Sequence, residues 1–133
     1  MTVILLGTSG TWAVEDGVAL FRSNPSASPH TIAQKLDEYW DAVRATGDAP
    51  TLPVLADVRE LQGIDADGRH VLYKRAGEFR SIPVALVGRG GAQRLLFDFL
   101  FLVTRHRRAR YFTRVDEARV WLRAEAARPE VDA

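Results

Sequence analysis

Cysteine is absent from the 133-residue chain, which removes disulfides, zinc–thiolate sites and thiol nucleophiles together. The absence fits a reducing, cytoplasmic setting. An excess of one charge is also lacking: 18 Lys and Arg against 17 Asp and Glu leave a formal +1. That is too little for a general attraction to nucleic acid or an anionic membrane, so nucleic acid is not an expected partner. Lysine is scarce, with Lys35 and Lys74 the whole complement. The longest apolar run, Leu95 to Val103, is interrupted by Asp98 and is too short to span a bilayer. Met1 to Leu6 ends in four apolar residues without a basic stretch before them, so it does not read as a signal peptide.

Enzyme signatures are missing as well. There is no Gly-x-Ser-x-Gly elbow, no His-Glu-x-x-His, no Walker A loop and no glycosidase-like carboxylate pair. The three histidines, His30, His70 and His106, fall in different predicted helices and cannot share a metal. No catalytic residue, metal or cofactor is therefore expected.

What is present is an ordinary globular composition, 47% hydrophobic and 26% charged, at the length of one domain. Val3–Leu6 is a short strand candidate. Trp12–Glu15 and Val18–Arg22 flank Asp16-Gly17, a strong hairpin signal. Ser23–Pro29 reads as a loop ending in a Ser28 cap with proline at the first helical position. The helix it opens carries Ile32, Leu36, Tyr39 or Trp40, and Val43, and Gly47 suits its end.

Leu52–Val58 and Ile82–Val87 are nearly continuous apolar strands, the mark of burial on both faces of a parallel sheet. Between them a helix is predicted from Ala66 to Phe79, with Leu72, Ala76 and Phe79 inward and Gly77 weakening its end. Gly88-Arg89-Gly90-Gly91 leads into a third helix, Ala92 to His106. Ala109–Thr113 is the last strand. Thr113-Arg114-Val115-Asp116 resembles a capping box that opens a final helix with Ala118, Trp121 and Leu122.

The order predicts an α/β fold: a mixed sheet of about five to six strands with an N-terminal antiparallel hairpin, parallel βαβ crossovers and about four helices. Residues 1–133 form a single domain with its core between Trp12 and Arg123, and 124–133 is expected to be a tail.

This layout resembles the STAS fold of the anti-anti-sigma factors, the SpoIIAA-like superfamily. The residues that carry the likeness are Leu55-Ala56-Asp57-Val58, Ile64-Asp65-Ala66-Asp67-Gly68, Val84-Ala85-Leu86-Val87-Gly88, and Arg110-Tyr111-Phe112-Thr113 with Glu117-Ala118 and Trp121-Leu122. The second half is similar to an uncharacterised bacterial SpoIIAA-like subgroup. The resemblance implies a non-catalytic regulatory domain that binds a protein partner. In that family the loop reads Ile-Asp-Ser-Ser-Gly and its second serine is phosphorylated. Here Ala66 and Asp67 occupy the two serine positions, so the phosphoswitch is absent and Asp67 supplies one fixed negative charge. Domains of this type also resemble CRAL-TRIO lipid binders in topology, which implies an alternative role as a carrier of a small apolar ligand or lipid.

Candidate binding residues follow. Asp57, Asp65 and Asp67 are a carboxylate cluster of the kind magnesium prefers, weighed against Asp65 or Asp67 capping the second helix. Gly68 belongs to the same loop. Gly88, Arg89, Gly90 and Gly91 precede a helix, where backbone amides can hold an anion, or form a plain tight connection. Arg105-His106-Arg107-Arg108 with Arg110 is a basic cluster, expected to be a solvated helix end. On the third helix, at ~100° per residue, Leu95, Leu96, Phe99, Leu100, Leu102 and Val103 share the expected inward face. Phe97 and Phe101 then fall beside Arg94, Asp98 and Arg105 on the water side. They are the expected interface of a two-fold homodimer, weighed against extra core under a neighbouring helix, or with Trp40 the lining of an apolar cleft.

Overall fold

The structure, a computed structural model, describes residues 11–23, 25–47 and 50–128. The predicted strand Val3–Leu6 and the chain beyond Arg128 lie outside the described residues. The predicted hairpin forms from β1 (Thr11–Glu15) and β2 (Val18–Arg22). Asp16 and Gly17 take φ of 53° and 78° in its turn, the paired left-handed conformation that suits a two-residue hairpin.

A two-residue strand β3 (Ser26–Ala27) interrupts the predicted loop. Helix α1 (Pro29–Thr46) then starts at a capping box: the Ser28 hydroxyl accepts from the Thr31 amide, and the Thr31 hydroxyl accepts from the Ser28 amide. It ends at Gly47, whose φ of 67° favours glycine. The buried hydroxyl of Tyr39 donates to the Leu52 carbonyl and accepts from the Leu52 amide. This ties α1 to the approach of β4 (Val54–Asp57), and burial pushes the phenol pKa up to about 12.

β5 (Gly63–Ile64) pairs in parallel with β3. It leads into α2 (Ala66–Arg75), which tightens into a 3₁₀ turn over Ala76–Glu78 where a longer α-helix is predicted. Gly77 stands in that turn, in keeping with its poor helical propensity. β6 (Val84–Val87), α3 (Ala92–Thr104), β7 (Ala109–Phe112) and α4 (Val115–Ala127) complete the order.

The main sheet runs β1-β2-β4-β6-β7, antiparallel between the first two strands and parallel thereafter. This is the predicted mixed sheet with four helices. Side chains alternate across each strand. Val54, Ala56 and Leu86 join α1, α2 and α3 in one core. Leu55, Ala85 and Val87 join Ala118 and Leu122 of α4 in the other.

Two terminal expectations are corrected. The start of α4 is capped at Arg114 without a side-chain cap bond; Asp116 instead pairs with Arg114, so no capping box forms at Thr113. The helix also continues past Arg123 to Ala127, so the expected tail begins too early. Glu125 is the reason: it is buried against Arg108, whose guanidinium reaches both its carboxylate and its carbonyl. Arg108 also donates to the Ser81 carbonyl, which makes it a structural tie.

Candidate functional site: an apolar cavity and the strand-end loops

α2 and α3 lie over the same face of the sheet with a cavity of about 240 Å³ between them. Its floor is Val54, Ala56, Val84 and Leu86; α2 and its 3₁₀ extension contribute Leu72 and Phe79, and α3 contributes Phe97, Leu100 and Phe101. α1 contributes Ile32, Lys35, Leu36 and Tyr39, and not the predicted Trp40. Trp40 is packed outside against Tyr39 and Phe79 and donates to Glu78.

The polar members of the wall are of two kinds. Arg75 is committed to Asp37, Glu78 and the Ala33 carbonyl. The Thr104 hydroxyl donates to the Leu100 carbonyl. His106 holds the Ile82 carbonyl at 2.8 Å, and burial lowers its pKa. By contrast, Trp12 Nε1 and Ser23 Oγ are buried without a hydrogen-bond partner among the described residues. Lys35 is 7% exposed. Its Nζ lies 5.1 Å from the centroid of Phe21. Burial lowers the Lys35 pKa, and the Glu38 carboxylate raises it in part.

Lys35 was not singled out from sequence. The signal was there: position 35 lies on the same helical stripe as Ile32 and Tyr39, where a charge is out of place.

The third helix is rotated from the sequence reading: Leu96 and Leu100 face the core as expected, but the expected water-side placement of Phe97 and Phe101 is corrected. Phe97 and Leu100 are buried, and Phe101 is half-buried against the core. Phe97 stacks on Tyr111 at 6.1 Å between centroids, and Phe101 meets His106 edge-on at 6.0 Å. Leu95, Phe99, Leu102 and Val103 are 72%, 54%, 74% and 44% exposed. The helix carries two apolar stripes, and the aromatic neighbours select the one that turns inward.

Asp57, Asp65 and Asp67 do not assemble into a cation site. Among the described residues no group of three such ligands could hold a metal. Asp57 ends β4 with its carboxylate taken by the Arg59 side chain at 3.0 and 2.8 Å. That contact holds its pKa below the usual range. A hollow of about 340 Å³ beside it is lined by Arg22, Arg59 and Arg119 among others. Asp65 is the N-cap of α2, accepting from the Gly68 amide at 2.7 Å, while Asp67 is exposed in the first turn. Gly68 packs so closely that a Cβ would lie 2.8 Å from Ile64 Cγ2 and 2.9 Å from Ile32 Cδ1.

The glycine loop is organised by two side chains from elsewhere. Gln93 accepts from the Arg89 amide, and Tyr111 accepts from the Gly90 amide. The Tyr111 hydroxyl donates to Gln93 Oε1 at 2.5 Å, and Gln93 Nε2 donates to the Val58 and Leu61 carbonyls. Arg89 reaches the Arg59 carbonyl. The Gly88 amide donates to the Phe112 carbonyl, so three of the four amides considered for an anion are bonded within the fold. Gly90 and Gly91 have φ of 82° and 59°, conformations that favour glycine.

No family model and no curated protein matches the chain. Among solved structures it is similar to an uncharacterized protein of the DUF3478 family with a SpoIIAA-like fold, from Shewanella loihica PV-4. The TM-score is 0.64 at 16% identity, covering 91% of this chain and 92% of that one. At this identity the likeness establishes the fold: the chain has a SpoIIAA-like fold. No helix among the described residues is long and apolar enough to cross a membrane.

Proposed function

We propose that this domain is a non-catalytic binding module that holds a small apolar molecule between α2 and α3. The cavity carries the reading. Its volume of about 240 Å³ exceeds the ~150 Å³ of an apolar void that stays dry and admits benzene. It falls just under the ~300 Å³ at which pockets for drug-sized ligands begin. A ligand of modest length therefore fits, in keeping with the carrier role that CRAL-TRIO-like topology implies. Native mass spectrometry and thermal unfolding with decanol test it. A one-to-one adduct and a concentration-dependent rise in the unfolding midpoint are expected. Bare polypeptide with an unmoved midpoint overturns the reading.

A second reading is favoured by the exposed Leu95, Phe99 and Leu102 of α3. An apolar stripe beside Arg94 and Asp98 suits self-association as a two-fold dimer. Sedimentation velocity across a concentration series should reveal the dimer, and Phe99→Ser with Leu102→Ser should return it to monomer. A monomer at every concentration removes this reading. A regulatory protein partner would meet the exposed Asp67 and the start of α2. Binding that survives Asp65→Lys with Asp67→Lys counts against that surface.

A further inference from the structure

We propose that the ligand is an amphiphile with a single anionic head, a carboxylate such as that of a medium-chain fatty acid, and that Lys35 holds the head. The inference rests on the ligand-binding reading above and adds the chemistry of the ligand's polar end.

The argument is one of accounting for every polar group in the cavity wall. Arg75, Thr104 and His106 each have partners within the fold. Lys35, Ser23 and Trp12 have none among the described residues. Lys35 makes no ion pair and no side-chain hydrogen bond among the described residues, and it is 7% exposed. Ser23 is 3% and Trp12 6% exposed, with Oγ and Nε1 unpartnered. Buried polar groups are ordinarily hydrogen-bonded, and buried charges ordinarily paired.

All three line the same cavity, and two of them share one ring. Lys35 Nζ stands over Phe21 at 5.1 Å, Trp12 packs on the same ring at 4.8 Å between centroids, and Ser23 follows two residues along, on the same side of an extended chain. The ring offers the ammonium a cation–π contact, which replaces only part of its hydration.

The nearest rival for the charge is Glu38 on α1, which couples electrostatically to Lys35. It forms no ion pair with Lys35 at contact distance. It is not part of the cavity wall, and both its oxygens are buried without a partner among the described residues. An anionic head inside the cavity would instead meet an ammonium, a hydroxyl and an indole N–H, all able to donate. Its hydrocarbon chain would lie along the apolar floor. A neutral head leaves the ammonium unpaired, and a cationic head is repelled by it.

The test compares decanoate, decanol and decyltrimethylammonium by calorimetric titration of the unaltered protein and of Lys35→Met. Decanoate should bind at least about tenfold tighter than decanol, the scale of one hydrogen-bonded charge contact. Decyltrimethylammonium should bind weakest. In Lys35→Met the ratio of decanoate to decanol affinity should fall to about one or below. Equal affinities in the unaltered protein, or a ratio unchanged in the variant, overturn the head-group assignment while the cavity reading stands. Failure of all three probes to bind overturns the cavity reading itself.

Should Lys35→Met not fold, isotope-labelled lysine in the unaltered protein gives the answer by NMR. Lys35 and Lys74 are the two signals. Decanoate should move the Lys35 side-chain signal and leave Lys74 in place. A Lys35 signal that stays still while decanoate binds sinks the proposal.

Discussion

Lys35 loses its hydration when α1 docks, so its pKa in the folded chain lies below the ordinary lysine value of about 10.5, with Glu38 opposing the shift. Between that lowered value and 10.5 the unfolded chain binds more protons than the folded one. Stability therefore rises with pH across the window, and below it the cost of the buried charge is present in full. Lys35→Met should flatten this alkaline rise and stabilise the ligand-free protein at neutral pH on the order of 1 kcal/mol. Urea midpoints at neutral and alkaline pH measure both effects. Gly88 is the second residue with a sharp expectation. A Cβ there would lie 1.9 Å from both the Tyr111 hydroxyl and Gln93 Oε1. Gly88→Ala must displace the bond between those two groups and should cost about 1–3 kcal/mol, read as a lower urea midpoint. The sequence displays Gly88 to Gly91 as a turn, but the reason for Gly88 is Tyr111, a helix and most of a strand further on. Asp65 was legible because its capping partner is three residues away.

At the scale of elements, α3 shows where periodicity stops being informative. Leu95, Phe99 and Leu102 are spaced as a helical stripe, and so are Phe97, Leu100, Phe101 and Thr104. Either could serve as the buried side, and the charges at Arg94 and Asp98 sit on a helix that has no clean polar face. Tyr111 and His106 decide between them by offering rings to Phe97 and Phe101, and both come from later in the chain. Truncation separates the two stripes. Phe97→Ala should cost about 3–5 kcal/mol as a buried aromatic, whereas Phe99→Ser should stay within about 0.5 kcal/mol of the parent. Equal losses in chemical denaturation would mean that the helix is turned differently. α1 and the β1–β2 hairpin were legible for the opposite reason. Their caps and turn residues, Ser28, Gly47 and Asp16-Gly17, act on neighbours in sequence and need nothing from elsewhere.

For the whole molecule, the order of hairpin and crossovers was readable because continuous apolar strands require cover on both faces, and the intervening helices supply it. The cavity was readable only in part: Phe97 and Phe101 were expected to line an apolar cleft and do so, but its extent was not. A void is set by how far apart α2 and α3 come to rest over β4 and β6, and no residue type encodes a distance. The same feature makes the last prediction possible. Ala56 is buried on the cavity floor at 5% exposure. In a close-packed core, enlarging such a residue costs about 1–3 kcal/mol in strain. Next to unfilled apolar space the added branches of Ala56→Leu gain contacts instead. The variant should keep the parent's stability within about 1 kcal/mol while decanol and decanoate affinities both fall by about tenfold or more. A shared loss places the bound chain on the sheet floor, whereas the Lys35 effect is confined to decanoate. Undiminished affinity for both probes, together with a large loss of stability, would mean that the space between α2 and α3 is closed in solution and that ligand binds elsewhere.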